Sequence, residues 1–458
     1  MLQEKFIEKM KNLLGEDFSR FMWALENETA VRGLRINTLK VDRESFLSEN
    51  TLPLSELSYT DTGFILESDE PVGRLAEHHS GRIYMQDPGA MAPLSAVEIP
   101  EGARVVDMCA APGGKSGQAA AMIGDTGFLL SNEFVPKRAK ILVGNLERLG
   151  VKNAVVTSMD TKKLCELFCE YFDYAIVDAP CSGEGMFRKN SDAIDEWSEA
   201  GVLASAERQK EILENAARLV REGGYIIYST CTYSPEENEE IVGAFLLSHP
   251  EFSPIELPDK IKAVTAEPIL KSKAAENAKY ARRFYPHVSK GEGQFLALLQ
   301  KNATLLTTKV CKNASKPLSK AELAIVKDFF KSNLLQEPSA RVEKVGENIV
   351  LLPESIPALP SHSVFMAGVL LGEIQKTRLI PSHQLFSAYG SLFKNKVELS
   401  ADEEALGKYL QGEEIDAPEG KENGYCVITY KGSSLGGGKI SAGKIKNHYP
   451  KGLRNRNL

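Results

Sequence analysis

At 458 residues the chain exceeds the size of one hydrophobic core, which rarely grows beyond about 250–300 residues, so at least two domains are expected. The hydrophobic fraction of 43% and the charged fraction of 26% are ordinary for a globular protein, and the formal net charge of −7 excludes a polycation that binds nucleic acid through its overall charge. The N-terminus lacks the apolar core of a signal peptide, and no apolar run reaches the ~20 residues that span a bilayer.

The cysteines argue against two further classes of protein. Their number is odd, their spacing is irregular, and no CxxC pair occurs. Neither a disulfide scaffold nor a metal site is therefore expected. A cytoplasmic protein with reduced thiols and no membrane contact is the simplest interpretation. The cysteines are Cys109, Cys165, Cys169, Cys181, Cys231, Cys311 and Cys426.

The predicted elements begin with a helix, because apolar residues from Phe6 to Leu25 recur mostly at three- and four-residue steps. RGLRINTLKV, which follows, has strand character. From about residue 101, short apolar strands alternate with helices, and this alternation predicts a parallel, doubly wound α/β sheet. The strands are ARVVDMC, GFLLSNE, NAVVTSMD, YAIVDAPC and GYIIYSTC, and GQFLALL closes the region at 293–299. The main helices are KSGQAAAMI, KRAKILVGNLERL and SAERQKEILENAARLV.

Beyond this sheet the pattern changes twice. The basic stretch 271–290 is predicted to be a surface loop, and a linker is expected at about 300–317. LSKAELAIVKDFFKSN then predicts an amphipathic helix that opens a second module, and the chain from about 361 mixes short strands with glycine-rich turns such as GSSLGGGK. We therefore divide the chain into 1–98, a mixed N-terminal region; 99–300, the α/β domain; 301–360, a first C-terminal module; and 361–458, a last domain.

One loop has the features of a ligand site. In VVDMCAAPGGKSGQ an apolar strand ends at Asp107, and a small-residue loop with Pro112, Gly113 and Gly114 precedes a helix. Ligands of open α/β sheets bind at the carboxyl ends of the strands, where glycines allow close approach of the backbone. The loop is neither GxGxxG nor GxxxxGK[ST], so it indicates neither a dinucleotide nor a phosphate loop.

Acidic residues follow the next two strands. Glu133 lies about twenty residues beyond the loop, where a carboxylate can accept both ribose hydroxyls, and Asp160 ends the third strand near the expected adenine. Together with the loop they favour a nucleoside-bearing cofactor. The alternative is that each is an ordinary strand-end or helix-cap residue.

Two cysteines are expected at the same edge of the sheet. Cys181 and Cys231 each follow a strand, in DAPCSGEG and YSTCTYSPEENEE. Ser234-Pro235-Glu236-Glu237 predicts a helix start next to Cys231, and a helix N-terminus lowers the pKa of a neighbouring thiol, although the two glutamates oppose this. The alternative for each cysteine is a small buried hydrophobic residue.

The three motifs DMCAAPGGKS, DAPCSGEG and STCTYSPEENE, in this order, resemble those of the Nop/Sun family of RNA cytosine-C5 methyltransferases. The resemblance covers roughly 30–300 and implies a Rossmann-like domain that binds S-adenosylmethionine. Glu133 would hold its ribose, Asp160 its adenine, and Asp178 would lie between cofactor and target base. Arg138 matches a commonly basic position beside the cofactor. The loop residues implied to contact the cofactor are Cys109, Ala110, Ala111, Pro112, Gly113, Gly114 and Lys115.

The resemblance also assigns the two cysteines. Cys231, in the TC motif, would be the nucleophile, and Cys181, in the PC motif, would assist breakdown of the covalent adduct. A thiolate that adds to carbon 6 of cytosine makes carbon 5 nucleophilic enough to accept a methyl group. DNA cytosine methyltransferases use the PC cysteine instead, so the presence of both cysteines argues against a DNA substrate.

The C-terminal part narrows the resemblance. GVLLGEIQKTRLIPSHQL and TYKGSSLGGGKISAGKIKNHYPKGLRN resemble the tail of the F type of bacterial 16S rRNA cytosine-C5 methyltransferases, which implies a PUA-like RNA-binding domain within an α+β region. From Lys431 onward the chain has basic residues and no Asp or Glu, as expected for phosphate contacts, or else this stretch is a solvated tail. These basic residues are Lys431, Lys439, Lys444, Lys446, Lys451, Arg454 and Arg456. A second basic patch, or a solvated loop, contains Lys271, Lys273, Lys279, Arg282 and Arg283.

The expected partner is thus RNA, as 16S rRNA or the small ribosomal subunit, and nothing in the sequence demands more than a monomer. Because a base inside a duplex is unreachable, the target cytosine must be unpaired or flipped. Two alternatives stay open: the same chemistry on transfer RNA, and a non-catalytic ribosome assembly factor. His287 either lines the site or has a structural role.

Overall fold

The computed structural model describes residues 2–401 and 404–454 and begins with a mixed N-terminal module. The helix predicted from Phe6 to Leu25 is divided, because Gly15 has φ +55° and a 3-10 turn follows it at Gly15–Asp17. The module's four strands form an antiparallel sheet in the order β2-β3-β1-β4. The elements are α1 Glu4–Leu14, α2 Phe18–Asn27, β1 Gly33–Ile36, α3 Arg43–Glu49, β2 Leu54–Glu56, β3 Gly63–Leu66, α4 Ala76–His79, β4 Ile83–Met85 and α5 Pro88–Ser95.

The α/β domain follows with every strand that the sequence predicts. Its elements are β5 Arg104–Asp107, α6 Gly114–Ile123, β6 Phe128–Asn132, α7 Pro136–Leu149, β7 Ala154–Thr157, α8 Thr161–Leu167, β8 Phe172–Asp178, α9 Ser191–Glu196, α10 Glu199–Leu219, β9 Val220–Thr230, α11 Glu239–Ser248, β10 Phe252–Ile255, α12 Asp259–Lys262, β11 Arg282–Phe284 and β12 Gln294–Lys301. The strands are buried on both faces, as in Val105, Val106, Leu129 and Leu130, because helices cover both sides of the sheet.

Sheet topology fixes where a ligand can bind. The parallel strands lie in the order β7-β6-β5-β8-β9, and β12 and β10 continue the sheet antiparallel beyond β9. The chain order reverses between β5 and β8, which creates the crevice at the carboxyl ends where open α/β sheets bind ligands. The predicted Rossmann-like fold class is confirmed.

A first C-terminal module follows, and it also extends the central sheet. Its elements are β13 Lys316–Pro317, α13 Lys320–Asn333, β14 Arg341–Val345, β15 Asn348–Leu352, β16 Val364–Ala367, β17 Val369–Gln375, β18 Arg378–Pro381 and α14 His383–Tyr389. A capping box of Ser319 and Glu322 starts the predicted amphipathic helix, α13. β16 pairs antiparallel with β7 at the edge of the central sheet, whereas β13, β14, β15, β17 and β18 form a separate sheet. That sheet crosses residue 360, so backbone pairing favours a later boundary than the one drawn from the sequence.

The last domain has a five-stranded sheet in the order β19-β21-β22-β23-β20 and one further helix, α15. Its elements are β19 Lys396–Glu398, α15 Glu404–Gln411, β20 Ile415–Asp416, β21 Gly424–Tyr430, β22 Ser433–Ser441 and β23 Lys444–Asn447. The turn predicted at GSSLGGGK is confined to its first glycine, Gly432, with φ +71°, because Gly436, Gly437 and Gly438 lie inside β22. A Cβ at Gly437 would lie 2.2 Å from the ring of Phe386 on α14, so the glycines allow helix and strand to approach closely.

The stretch 271–290 also differs from its prediction as a solvated loop. It contains a 3-10 turn, Ala275–Ala278, and strand β11, and its alanines Ala275, Ala278 and Ala281 are buried. Arg283 is buried and pairs with Glu239, so the predicted basic patch is not a continuous exposed surface. Within the described part of the chain, no helix has the length and apolar character required to cross a membrane.

Candidate active site

The loop after β5 is held by backbone geometry and by α7. Gly113 has φ +115°, in the region that favours glycine, and is the residue before α6. Arg138 donates to the carbonyl of Ala111 at 2.8 Å, and Asn145 donates to that of Pro112 at 2.8 Å. The predicted basic residue Arg138 therefore fixes the loop from the adjacent helix.

The N-terminal module also contacts this loop, through a residue that the sequence analysis did not single out. Arg35 on β1 donates to the carbonyl of Gly114 at 3.2 Å and to the side chain of Gln86 at 3.0 Å. Burial lowers the pKa of Arg35 to about 10. RGLRINTLKV has only strand character in the sequence, and this contact has no local signal because its partner lies 79 residues away.

Asp107 and Asp178 occupy the ends of the two strands that flank the crevice. Asp107 is buried; its Oδ2 accepts from Ser116 at 2.7 Å, whereas its buried Oδ1 has no partner. Burial raises the pKa of Asp107 to about 7. Asp178 Oδ2 pairs with Lys115 Nζ at 2.8 Å, and Asp178 Oδ1 accepts from Ser229 at 2.7 Å. Lys115 thus turns towards the end of β8 from the start of α6.

The two other predicted acids have different surroundings. Glu133 is buried after β6, accepts from the backbone N–H of Val135 at 2.9 Å and lies 3.3 Å from Arg138. Asp160 is exposed after β7 and caps α8 by accepting from the N–H of Lys162 at 2.8 Å. Asp160 therefore has the cap role that the sequence analysis held open, and its ligand role stays a prediction.

The structure brings Cys181 and Cys231 together. Their sulfur atoms lie 3.3 Å apart, at the ends of β8 and β9, and both are free thiols. The contact with Cys231, followed by burial, raises the pKa of Cys181 well above its usual value. Cys109, in the loop after β5, is a further free thiol whose pKa is raised by burial. Residues from two sequence motifs separated by 50 positions thus form one site.

The predicted helix start at Ser234 is wrong in detail. Pro235–Glu237 forms a 3-10 turn, α11 begins only at Glu239, and the Ser234 hydroxyl donates to Glu184 and does not cap the helix. The helix N-terminus therefore does not begin directly beside Cys231.

The predicted basic tail is ordered as far as the structure describes it. Lys431 pairs with Glu77 at 3.1 Å, Lys444 pairs with Asp416 at 2.6 Å, and Lys439 lies 5.5 Å from the ring centre of Tyr425. Tyr449 is buried, and its hydroxyl lies 2.6 Å from His79 Nδ1. Arg456 lies outside the described residues. His287 packs its ring 5.7 Å from that of Phe21 on α2, in an aromatic cluster with Tyr285.

Comparison with known proteins agrees with this geometry. The family described as 16S rRNA methyltransferase RsmB/F matches residues 95–300, and its N-terminal and first C-terminal domain families match 2–88 and 328–388. A family of methyltransferase PUA domains matches 394–455. Ribosomal RNA small subunit methyltransferase F of Vibrio vulnificus is 32% identical over all of this chain and 98% of its own length. The chain belongs to the ribosomal RNA small subunit methyltransferase F family.

Further relatives extend the comparison. The methyltransferase F of Erwinia tasmaniensis is 30% identical over 98% of this chain and 96% of its own length. The crystal structure of a methyltransferase homologue from Pyrococcus horikoshii is 28% identical, with a TM-score of 0.55 over 65% of this chain and 95% of that one. NSun6 from the same organism, solved with SFG, shares the fold, with 21% identity and a TM-score of 0.56 over 66% of this chain and 99% of that one.

S-adenosylmethionine is the cofactor of this methyltransferase family, and the loop has the features required to hold it. Asp107 Oδ1 is a buried acceptor without a partner, and Gly113 and Gly114 lie between the carboxyl end of β5 and the start of α6, where open α/β sheets bind ligands. The described residues contain no group of three or more His, Cys, Asp or Glu arranged to hold a metal ion. The site offers carboxylates, backbone groups and the thiols of Cys109, Cys181 and Cys231.

Proposed function

We propose that the protein transfers a methyl group from S-adenosylmethionine to carbon 5 of a cytosine in 16S rRNA through a covalent cysteine–cytosine intermediate. The observation that carries this proposal is the separation of 3.3 Å between the sulfur atoms of Cys181 and Cys231, beside the loop after β5. When bound, S-adenosylmethionine supplies an electrophilic methyl group. The relatives named methyltransferase F support rRNA as the substrate.

Cys231 is proposed as the nucleophile. Its thiolate forms a bond to carbon 6 of the cytosine, so that the ring electrons become available at carbon 5. After carbon 5 is methylated, its hydrogen leaves as a proton, the electron pair of that C–H bond restores the ring, and the bond from sulfur to carbon 6 breaks.

Cys181 is proposed to assist this elimination. The contact with Cys231 and burial raise the pKa of Cys181, which disfavours its thiolate and suits a thiol that assists rather than attacks. Asp178 is proposed to lie at the edge of the target base, with its charge balanced by Lys115 at 2.8 Å. The loop Cys109–Lys115 would hold the cofactor together with Glu133, Asp160 and Arg138.

The rest of the molecule is proposed to bind RNA. The last domain matches PUA domains of methyltransferases, and its exposed basic residues Lys446 and Lys451 would contact phosphates. The target cytosine must enter the site unpaired, since a stacked base is unreachable. We further propose that the protein acts as a cytoplasmic monomer on RNA and not on DNA.

Methyl transfer from labelled S-adenosylmethionine to three RNA pools tests the function. The pools are unmodified small-subunit particles, naked 16S rRNA and bulk transfer RNA, each incubated with wild type, Cys231→Ala and Cys181→Ala. We expect 5-methylcytosine in 16S rRNA, its loss in Cys231→Ala, and an RNA–protein adduct in Cys181→Ala. Label in transfer RNA alone would overturn the substrate, and RNA binding without any label would favour an assembly factor.

A further inference from the structure

Two buried carboxylates connect the loops that carry the two cysteines. Glu184 follows Cys181 in the chain, and Glu237 follows Cys231. Between them lie the hydroxyls of Thr232 and Ser182. We call Glu184, Thr232, Ser182 and Glu237 the carboxylate bridge. The mechanism proposed above uses none of these four residues.

Glu184 belongs to the loop of Cys181 but holds the loop of Cys231. Its Oε2 accepts from the Thr232 hydroxyl at 2.9 Å and from the backbone N–H of Tyr233 at 2.8 Å. Its Oε1 accepts from the Ser234 hydroxyl and from the Trp197 indole at 2.9 Å. Four donors satisfy both oxygens, which explains how a fully buried carboxylate is tolerated.

Glu237 provides the reciprocal contact. It lies after Cys231, yet its Oε2 accepts from the backbone N–H of Ser182 at 2.9 Å, and its Oε1 accepts from the Ser182 hydroxyl. Gln209 on α10 donates both to Glu237 at 2.8 Å and to the carbonyl of Pro180 at 3.0 Å. Each cysteine loop is therefore held by a carboxylate from the other loop.

The hydroxyls connect these two contacts into one chain. Ser182 Oγ lies 2.8 Å from Thr232 Oγ1, so the order along the bridge is Glu184, Thr232, Ser182, Glu237. Three oxygen–oxygen contacts share two hydroxyl protons, which Thr232 donates to Glu184 and Ser182 donates to Glu237, so the contact between the two hydroxyls gains a proton only when one carboxyl carries one. Burial raises the pKa of Glu237, in the direction that favours retention of this proton. Removal of either hydroxyl interrupts the chain in the middle and leaves both carboxyls in place.

We propose that Glu184 and Glu237 are positioning residues that hold Cys181 against Cys231 through Thr232 and Ser182. This inference rests on the proposed function, because the two sulfur atoms need a fixed separation only if both act on one base. A loosened bridge changes the separation of the two sulfur atoms, so that an adduct formed by Cys231 is no longer held against Cys181. The expected signature is a covalent cysteine–cytosine adduct that still forms but breaks down slowly, as expected for Cys181→Ala.

The test uses Thr232→Val, which removes the hydroxyl and keeps a branched side chain of the same shape, and Thr232→Ser, which restores it. We expect turnover on 16S rRNA to fall about tenfold in Thr232→Val, the factor that loss of a buried hydrogen bond supports, while covalent adduct accumulates. Thr232→Ser should recover most of the turnover and lose the adduct. Ser182→Ala, at a half-buried position, repeats the test if Thr232→Val does not fold.

Ser387→Ala is the matched control. It removes a hydroxyl that donates to the carbonyl of Glu147 at 2.7 Å, between α14 and α7, outside the bridge. If Ser387→Ala only destabilises the fold, it should lower the amounts of covalent adduct and methylated product by the same factor. If adduct and methylated product fall by the same factor in Thr232→Val, or if Thr232→Val turns over at the rate of wild type, the proposal is overturned.

A second measurement needs no RNA. The rate at which iodoacetamide alkylates Cys181, followed by peptide mass spectrometry, should rise about tenfold in Thr232→Val and stay unchanged in Ser387→Ala. If wild type fails to methylate RNA, the proposed function fails, and this rate still decides the positioning role. An unchanged rate in Thr232→Val contradicts it.

Discussion

At the scale of single residues, ionisation of Asp107 makes the stability of the folded protein depend on pH. Burial raises its pKa from 3.8 to about 7, so the folded protein binds this proton more tightly than the unfolded chain. The stability that comes from the bound proton is fully present below about pH 4 and is lost as the pH rises through about 7.

Asp107→Asn should remove this dependence, because an amide does not ionise. We expect the free energy of unfolding of wild type to fall by about 2–3 kcal/mol more than that of the variant between pH 5 and pH 8. Urea unfolding at both pH values measures the difference. Asp69→Asn, at an exposed position, is the control and should follow wild type; parallel pH curves for Asp107→Asn and wild type would refute the assignment.

How far single residues can be predicted depends on the distance of their partners in the chain. Cys181, Cys231 and the loop Cys109–Lys115 have motifs of their own, so the sequence indicates them. Glu184 and Glu237 lie inside those motifs, but their partners are 48 and 55 positions away, and only the fold shows which donors they accept.

At the scale of elements, the turn between β5 and α6 depends on Gly113. Its φ of +115° strains any residue with a Cβ, and a Cβ there would lie 3.0 Å from Leu142 Cδ1 on α7. The backbone conformation of the turn and the packing against α7 therefore both require glycine at position 113.

Gly113→Ala should lower the free energy of unfolding by about 1–3 kcal/mol and weaken binding of S-adenosylmethionine. Gly144→Ala is the matched control on α7, where a Cβ meets nothing within 4 Å, and should stabilise the helix by about 0.5–1 kcal/mol. Urea unfolding and calorimetric titration measure both quantities. Equal effects of the two substitutions would show that the loop tolerates a side chain.

Elements were predicted well where hydrophobic periodicity decides them and less well where tertiary packing does. The strands β5 to β8 and the later part of β9, from Gly224, contain short apolar runs, so their positions follow from the sequence, whereas the polar start of β9 at Val220–Gly223 does not. The glycines of β22 indicate a turn locally, but Phe386 on α14 fills the space that they leave. Similarly, β16 is assigned to the edge of the central sheet only by its pairing with β7.

At the scale of the whole molecule, the last domain is docked on the N-terminal module. Arg82, on the segment before β4, is buried, pairs with Glu49 at 2.5 Å and donates to the carbonyl of Lys431 at 2.6 Å. Lys431 in turn pairs with Glu77. Part of the predicted basic tail therefore neutralises acids of the protein itself, which the residue count cannot reveal.

Arg82→Ala should loosen this docking. We expect a loss of about 1–3 kcal/mol, because the Lys431 carbonyl and the Glu49 carboxylate lose a charged donor, and faster hydrogen exchange in β21 and β22. Arg43→Ala, which breaks an exposed ion pair with Glu56, should change stability by less than about 1 kcal/mol. Unchanged exchange in Arg82→Ala would mean that apolar contacts alone hold the domain.

The measurement that tests the central claim most directly is the location of the covalent bond between protein and RNA. Cys181→Ala is incubated with 16S rRNA and S-adenosylmethionine, the adduct is digested with nuclease and protease, and the peptides are analysed by mass spectrometry. We predict a methylated cytidine nucleotide attached to the peptide that contains Cys231. A nucleotide attached to any other residue, or 5-methylcytosine formed by the Cys231→Ala variant, would contradict the account.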